Sequence, residues 1–110
     1  MLLLQKIKEL SSEYFKEIVS IRQHLHAHPE LSFCEYETSE FVAYRLSEFG
    51  IPFQSGIAGT GIVAIIEGQG TKVMGQKTKT VALRADMDAL PVTEKNKISF
   101  KSKNEGVMHA

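Results

Sequence analysis

Residues 80–88 read TVALRADMD, in which apolar and polar side chains alternate. The apolar set is Val81, Leu83, Ala85 and Met87, and the polar set is Arg84, Asp86 and Asp88. A period of two is typical of a β-strand, because successive side chains of a strand point to opposite faces of the sheet. The sequence therefore predicts a strand that carries two carboxylates on one face.

A long amphipathic helix is predicted at the beginning of the chain. Apolar residues recur at intervals of three and four from Leu3 to Leu25, which places them in one stripe along a helix. We expect this helix to end near His26. Pro29 disfavours a helical conformation at His28, so residues 28–30 are predicted to form an extended connector.

A second helix is predicted between this connector and the strands. Ser32 and Glu35 have the spacing of a capping box, and Leu31 with Tyr36 could form the accompanying hydrophobic staple. The expected end is Gly50, because glycine readily adopts the left-handed conformation that terminates helices. The predicted buried face consists of Phe41, Val42, Leu46 and Phe49.

Shorter strands complete the predicted α/β fold. Residues 51–54 are expected to form an edge strand, residues 62–66 a buried strand and residues 98–100 a short strand. Residues 69–79 contain glycines and lysines with few apolar residues, which indicates an exposed hairpin connection. Two helices followed by central strands favour an α/β class. The expected sheet is incomplete.

Composition limits the classes of protein to consider. The chain has 110 residues, 43% of them hydrophobic, enough for one domain but too few for a second. Its 13 basic and 13 acidic residues balance, so no overall charge favours nucleic acid or an anionic membrane. The single cysteine, Cys34, excludes an internal disulfide, and a cytoplasmic location is expected. No apolar run is long enough to span a membrane.

The paired carboxylates are the first candidate site. Asp86 and Asp88 would lie roughly 6.6 Å apart along a strand, twice the rise per residue. At the carboxyl end of a strand they could orient a metal-bound histidine or hold a cation. The simpler interpretation is a solvated strand face on which Arg84 neutralises one acid, and spacing alone slightly favours it.

Histidines form the second group of candidates. His24 and His28 would be one helical turn apart if the helix continued, but Pro29 is expected to disrupt that geometry. We favour a polar helix end, where histidines interact with terminal carbonyls, over a metal site. His109 is by default a surface histidine. Cys34, near a helix start, is expected to be structural.

Several segments together resemble one family. They are IRQHLHAHPEL (21–31), ETS (37–39), TGIVAIIEG (60–68), VALRADMDALP (81–91) and GVMHA (106–110). In this order and spacing they resemble the M20 metallopeptidases, in particular the branch of N-acyl-L-amino acid amidohydrolases, hippurate hydrolases and auxin-conjugate hydrolases. The resemblance implies that residues 1–110 are the N-terminal portion of a metallo-exopeptidase-type catalytic domain. The family's lid domain, usually used for homodimerisation, is expected to be absent from residues 1–110.

The resemblance also implies roles for particular residues. In the family, the segment matching GVMHA is followed by Cys-Gly-His-Asp, which supplies metal ligands, so the ligands are expected just beyond Ala110 and none within the chain. Asp88 corresponds to an active-site aspartate, with Asp86 beside it. His109 and Arg84 would lie next to the metal site without binding the ion. With the resemblance, the functional interpretation of Asp86 and Asp88 becomes the preferred one, whereas the histidines of the first helix remain structural.

The implied activity is the metal-dependent hydrolysis of N-acyl amino acids or small peptides. Zinc, manganese, cobalt or nickel would be the divalent cofactor of the full-length protein. The 110-residue chain by itself is expected to be inactive and to bind no metal, because an open metal site is needed to activate water. The alternative is a non-catalytic fragment or interaction module.

Overall fold

A computed structural model of the chain describes residues 2–70, 75 and 77–110. Two helices come first, α1 (Leu2–Ala27) and α2 (Tyr36–Glu48), followed by the strands β1 (Phe53–Ile57) and β2 (Gly61–Ala64). The two strands pair antiparallel in one sheet. This order of elements confirms the predicted α/β class.

Helix α1 agrees with its predicted bounds. Ala27, at the end of the helix, is buried, whereas Leu3, Ile7 and Ile18 of its apolar stripe are 75%, 54% and 58% exposed. The fully buried Pro29 lies two residues beyond the helix and prevents it from continuing. Within the described ranges, no helix has the length and apolarity needed to cross a bilayer.

The predicted start of α2 is wrong. Its N-cap residue is Glu35, whose side chain does not cap the helix. The backbone N–H groups of Glu37 and Thr38 instead donate to the carboxylate of Glu30, at 3.2 and 2.5 Å. A carboxylate from the preceding connector thus satisfies donors that the first turn of a helix leaves free, and Ser32 is not needed for capping.

The predicted staple of α2 is not buried, since Tyr36 is 64% exposed. The helix ends as predicted, with Gly50 at a φ of 67°. The N–H of Ile51 then donates to the carbonyl of Leu46 at 2.9 Å, and the N–H of Gly50 to that of Ser47 at 3.0 Å, the pattern of a left-handed helix end. On the predicted apolar face, Phe49 is 51% exposed, which contradicts the expected burial.

The two strands form a hairpin and lie slightly away from the positions predicted for them. β1 begins two residues later than expected and β2 ends at Ala64, so Ile65 and Ile66 lie outside the strand and are 67% and 78% exposed. Positive φ angles occur at Gly56 near the end of β1 and at Ala58 and Gly59 in the turn between the strands. The predicted hairpin connection at 69–79 lies partly outside the described residues.

Residues 80–88, predicted to be a strand, have no regular secondary structure. Val81 and Leu83 are 85% and 97% exposed. A strand needs a hydrogen-bonded neighbour, and among the described residues pairing of this segment begins only at Ala89 and Leu90. The predicted strand at 98–100 is also wrong, because the N–H of Lys101 donates to the carbonyl of Ile98 in a turn.

Candidate functional site

Two short β-bridges bring Asp88 and His109 to the same place. Ala89 pairs in parallel with Leu31, and Leu90 pairs antiparallel with Met108 through backbone hydrogen bonds of 2.9 and 3.0 Å. In an antiparallel pair, the residue after Met108 faces back along the chain toward the residues before Leu90. His109 and Asp88 therefore leave the bridge at the same end.

Both side chains border an open cleft of about 1260 Å³ between the helices, the hairpin and residues 83–88. The floor is apolar and is formed largely by Ile21, Leu25, Val42, Leu46 and Met87. Polar groups at the border include His26, Asp86, Asp88 and His109. The cleft thus combines an apolar floor with polar groups at its border.

His109 carries an unpartnered atom into this region. Its Nε2 atom is buried and has no hydrogen-bond partner among the described residues. Burial lowers the pKa of His109, the nearby His26 lowers it further, and Asp88 opposes the shift. Together these effects favour the neutral form of His109, in which an imidazole nitrogen can accept a proton.

Asp86 and Arg84 lie at the exposed border of the cleft. The Arg84 Nη2 atom is 3.1 Å from Asp86 Oδ1, and the two side chains are 89% and 70% exposed. This is the ion pair expected from the simpler interpretation of the acidic face, and such exposed pairs stabilise a protein little. The structure brings Asp88 toward His109 and pairs Asp86 with Arg84.

A buried contact between a histidine and a carboxylate lies beside the cleft and was not predicted. His26 Nε2 lies 2.9 and 3.0 Å from the two carboxylate oxygens of Glu94, which is 3% exposed. The backbone N–H of Ser102 donates to Glu94 at 2.7 Å. This N–H and then His26 lower the pKa of Glu94 to about 2. The only signal in the sequence was an acidic residue in a segment without a periodic pattern.

The rings of His24 and His28 lie together, contrary to the prediction that Pro29 would disrupt their geometry. His24 stacks on Phe41 at 4.2 Å between ring centroids and lies 4.4 Å from the ring of His28. The backbone N–H of His28 still donates to the carbonyl of His24 at 3.2 Å, which keeps the residue one turn away. Burial, followed by His28 and Lys103, lowers the pKa of His24.

The described residues do not form a metal centre by themselves. Within residues 2–70, 75 and 77–110, no three His, Cys, Asp or Glu side chains are grouped so as to hold an ion. The unpartnered nitrogen of His109 and the carboxylate of Asp88 are chemically suited to orient or complete such a centre. They do not replace its ligand set.

Known proteins are similar over nearly the whole chain. An N-acyl-L-amino acid amidohydrolase from Geobacillus stearothermophilus is 46% identical over 106 residues, which cover 96% of this chain and 27% of the relative. Thermostable carboxypeptidase 2 from Saccharolobus solfataricus is 47% identical over 109 residues, covering 98% and 26%. The chain thus spans about a quarter of the length of these relatives. No protein-family model matches it.

Solved structures share the fold. A dinuclear metal-binding peptidase of the M20 family from Bacillus subtilis has a TM-score of 0.77 and 35% identity, over 89% of this chain and 26% of its own. A protein from methicillin-resistant Staphylococcus aureus, described as an aminohydrolase, has a TM-score of 0.83 and 39% identity, over 96% and 27%. The chain is therefore similar to members of the M20 peptidase family, over a segment that matches about a quarter of their length.

Proposed function

We propose that the protein containing this chain hydrolyses the amide bond of N-acyl amino acids or small peptides. The observation that carries the proposal is that Asp88 and His109 leave the Leu90–Met108 bridge at the same end and both border one open cleft. The similarity to an amidohydrolase and a carboxypeptidase supports the same class of bond.

In this proposal Asp88 and His109 handle orientation and proton transfer. A carboxylate near an imidazole can orient the ring. The Nε2 atom of His109 is buried and has no hydrogen-bond partner among the described residues. A neutral imidazole at this position can take up or orient a proton near the carbonyl to be attacked.

The remaining proposals concern the cofactor and the partners of the complete protein. The similar Bacillus subtilis peptidase binds two metal ions, and we propose a divalent cofactor, zinc, manganese, cobalt or nickel, for the complete protein. Such an ion would supply Lewis acidity toward the amide carbonyl. We further propose a small-molecule substrate, a cytoplasmic location and a homodimer for that protein.

The test uses the protein encoded by the complete open reading frame that contains this sequence. It is supplied in turn with zinc, manganese, cobalt and nickel and offered N-acetyl and N-benzoyl amino acids and dipeptides. We expect at least one substrate to be cleaved, and Asp88→Asn to reduce kcat/KM at least a hundredfold. Glu105→Gln removes an exposed carboxylate of the same region and should leave the rate unchanged.

Failure of the unmodified protein to cleave any substrate with any of the four metals would overturn the proposed activity. Equal rates for Asp88→Asn and Glu105→Gln would instead remove Asp88 from the site. Liberated amino acid is measured directly, so that the assay does not depend on a chromogenic acyl group.

A further inference from the structure

We propose that the hydroxyl of Ser102, anchored by the buried His26–Glu94 pair, is a positioning group that sets the place of His109 in the cleft. The inference rests on the proposed hydrolase function, since it assigns a role within that site. Ser102 does not itself line the cleft. It would act through the backbone that carries His109.

Residues 102–104 are fixed to the end of α1. Glu94 accepts hydrogen bonds from the Ser102 N–H and from His26. The N–H of Lys103 donates to the carbonyl of Ala27 at 2.9 Å, and the side-chain amide of Asn104 to that of Pro29 at 3.2 Å. These contacts tie a loop without regular secondary structure to a rigid helix end.

The Ser102 hydroxyl connects this loop to the segment that precedes His109. Its Oγ atom lies 2.7 Å from the carbonyl oxygen of Val107 and 2.9 Å from that of Asn104. A hydroxyl has one proton to donate, and the shorter contact is with Val107. Val107 is itself 8% exposed, so a water molecule has little access to replace the hydroxyl.

Val107, which accepts this hydrogen bond, is two residues from His109. The bridge to Leu90 fixes Met108, which lies between Val107 and His109. The bridge and the Ser102 contact therefore both restrain the backbone that leads to His109. His26 borders the same cleft. The network therefore reaches the site both through the backbone of 107–109 and through the ring of His26.

The experiment compares Ser102→Ala with Ser102→Thr, which keeps the hydroxyl, and with Ser55→Ala, which alters an exposed serine of the hairpin. In the protein from the complete open reading frame, the ¹³Cε1–¹H signal of His109 is recorded at one fixed pH. We expect it to shift and broaden in Ser102→Ala, to return toward its original position in Ser102→Thr, and to stay unchanged in Ser55→Ala.

In the protein from the complete open reading frame, kcat is expected to fall about tenfold or more in Ser102→Ala with KM within about twofold, because misplacing a reacting group by a fraction of an ångström impairs the chemical step more than binding. Ser102→Thr should recover most of kcat. A purely structural role predicts a lower melting temperature with unchanged kcat for the folded fraction, and that outcome would overturn the proposal.

The two readouts separate this inference from the proposed function. If the unmodified protein cleaves nothing, the hydrolase proposal fails, and the His109 signal still decides whether Ser102 positions the ring. If Ser102→Ala does not fold by circular dichroism, the same signal is recorded for Glu94→Gln, which weakens the anchor of Ser102. An unchanged His109 signal in a folded variant contradicts the proposal in either case.

Discussion

Glu30 is expected to hold the beginning of α2, and Glu30→Ala should test this directly. The substitution removes a carboxylate that accepts from the N–H of Glu37 at 3.2 Å and from the N–H and hydroxyl of Thr38 at 2.5 and 2.6 Å. Thr38 is 5% exposed, so its donors would be left buried without a partner. Loss of a helix cap costs about 0.5–2 kcal/mol, and an unsatisfied buried donor about 1–3 kcal/mol.

Because the lost bonds share one acceptor, their contributions do not simply add, and we expect Glu30→Ala to lower the free energy of unfolding by about 2–3 kcal/mol. Urea unfolding followed by circular dichroism at 222 nm measures this quantity. Amide hydrogen exchange at Glu37 and Thr38 reports on the same turn locally. Glu40→Ala, which removes an exposed carboxylate of α2, is the matched control and should change the stability by less than about 0.5 kcal/mol.

The reasoning is refuted if Glu30→Ala and Glu40→Ala have the same stability and the two amides exchange at unchanged rates. In that case the carboxylate would be dispensable, and water would satisfy the first turn of α2. Glu30→Gln gives a further check, because the amide oxygen preserves one acceptor without the charge. An intermediate loss is expected for it.

Three further predictions concern other parts of the chain. The pKa of Glu94 lies below its usual 4.5, at about 2. The contribution of its carboxylate to stability is therefore complete above pH 4.5 and is lost as the pH falls through about 2. The amide resonance of Ser102 should follow this titration, and Glu94→Gln should abolish the pH-dependent change of that resonance. Gly50→Ala places a side chain at a φ of 67° but in open space, so backbone strain alone should cost about 1–2 kcal/mol by urea unfolding; Gly68→Ala, also in open space without a positive φ, should cost less. Removal of the imidazole in His28→Ala should raise the pKa of His24 part of the way to its ordinary value, because burial, the larger cause, remains in part; an unchanged NMR titration would contradict this.

The helices could be predicted because their determinants are local. The apolar period of α1, the proline that follows it and the glycine at the end of α2 each act within a few residues. The start of α2 could not be predicted in the same way. Ser32 and Glu35 fit a capping-box pattern. In the structure, however, the carboxylate of Glu35 accepts hydrogen bonds from the N–H of Phe33 and from the hydroxyl of Thr60. The contact with Thr60 depends on the folded hairpin.

Strand prediction failed at residues 80–88 for a related reason. An alternating pattern states which side chains could share a face, but it does not provide a neighbouring strand. The described part of the chain offers a partner only at Ala89 and Leu90. The alternating pattern identified the two carboxylates. It could not predict that Asp86 pairs with Arg84 while Asp88 lies at the same end of the bridge as His109, because this difference depends on tertiary contacts.

The positions of Asp88 and His109 should depend more on the connecting segments than on the helices. No continuous sheet holds the two residues together in the described ranges; isolated bridges do so, at Leu31–Ala89 and Leu90–Met108. One partner of each bridge lies in a connecting segment. The first, residues 28–31, is fixed by the contacts of Glu30 with α2, and the second, residues 102–109, by Ser102 and Glu94. Changes at these carboxylates and at this hydroxyl should therefore move the site at a smaller cost in helix content than substitutions along α1.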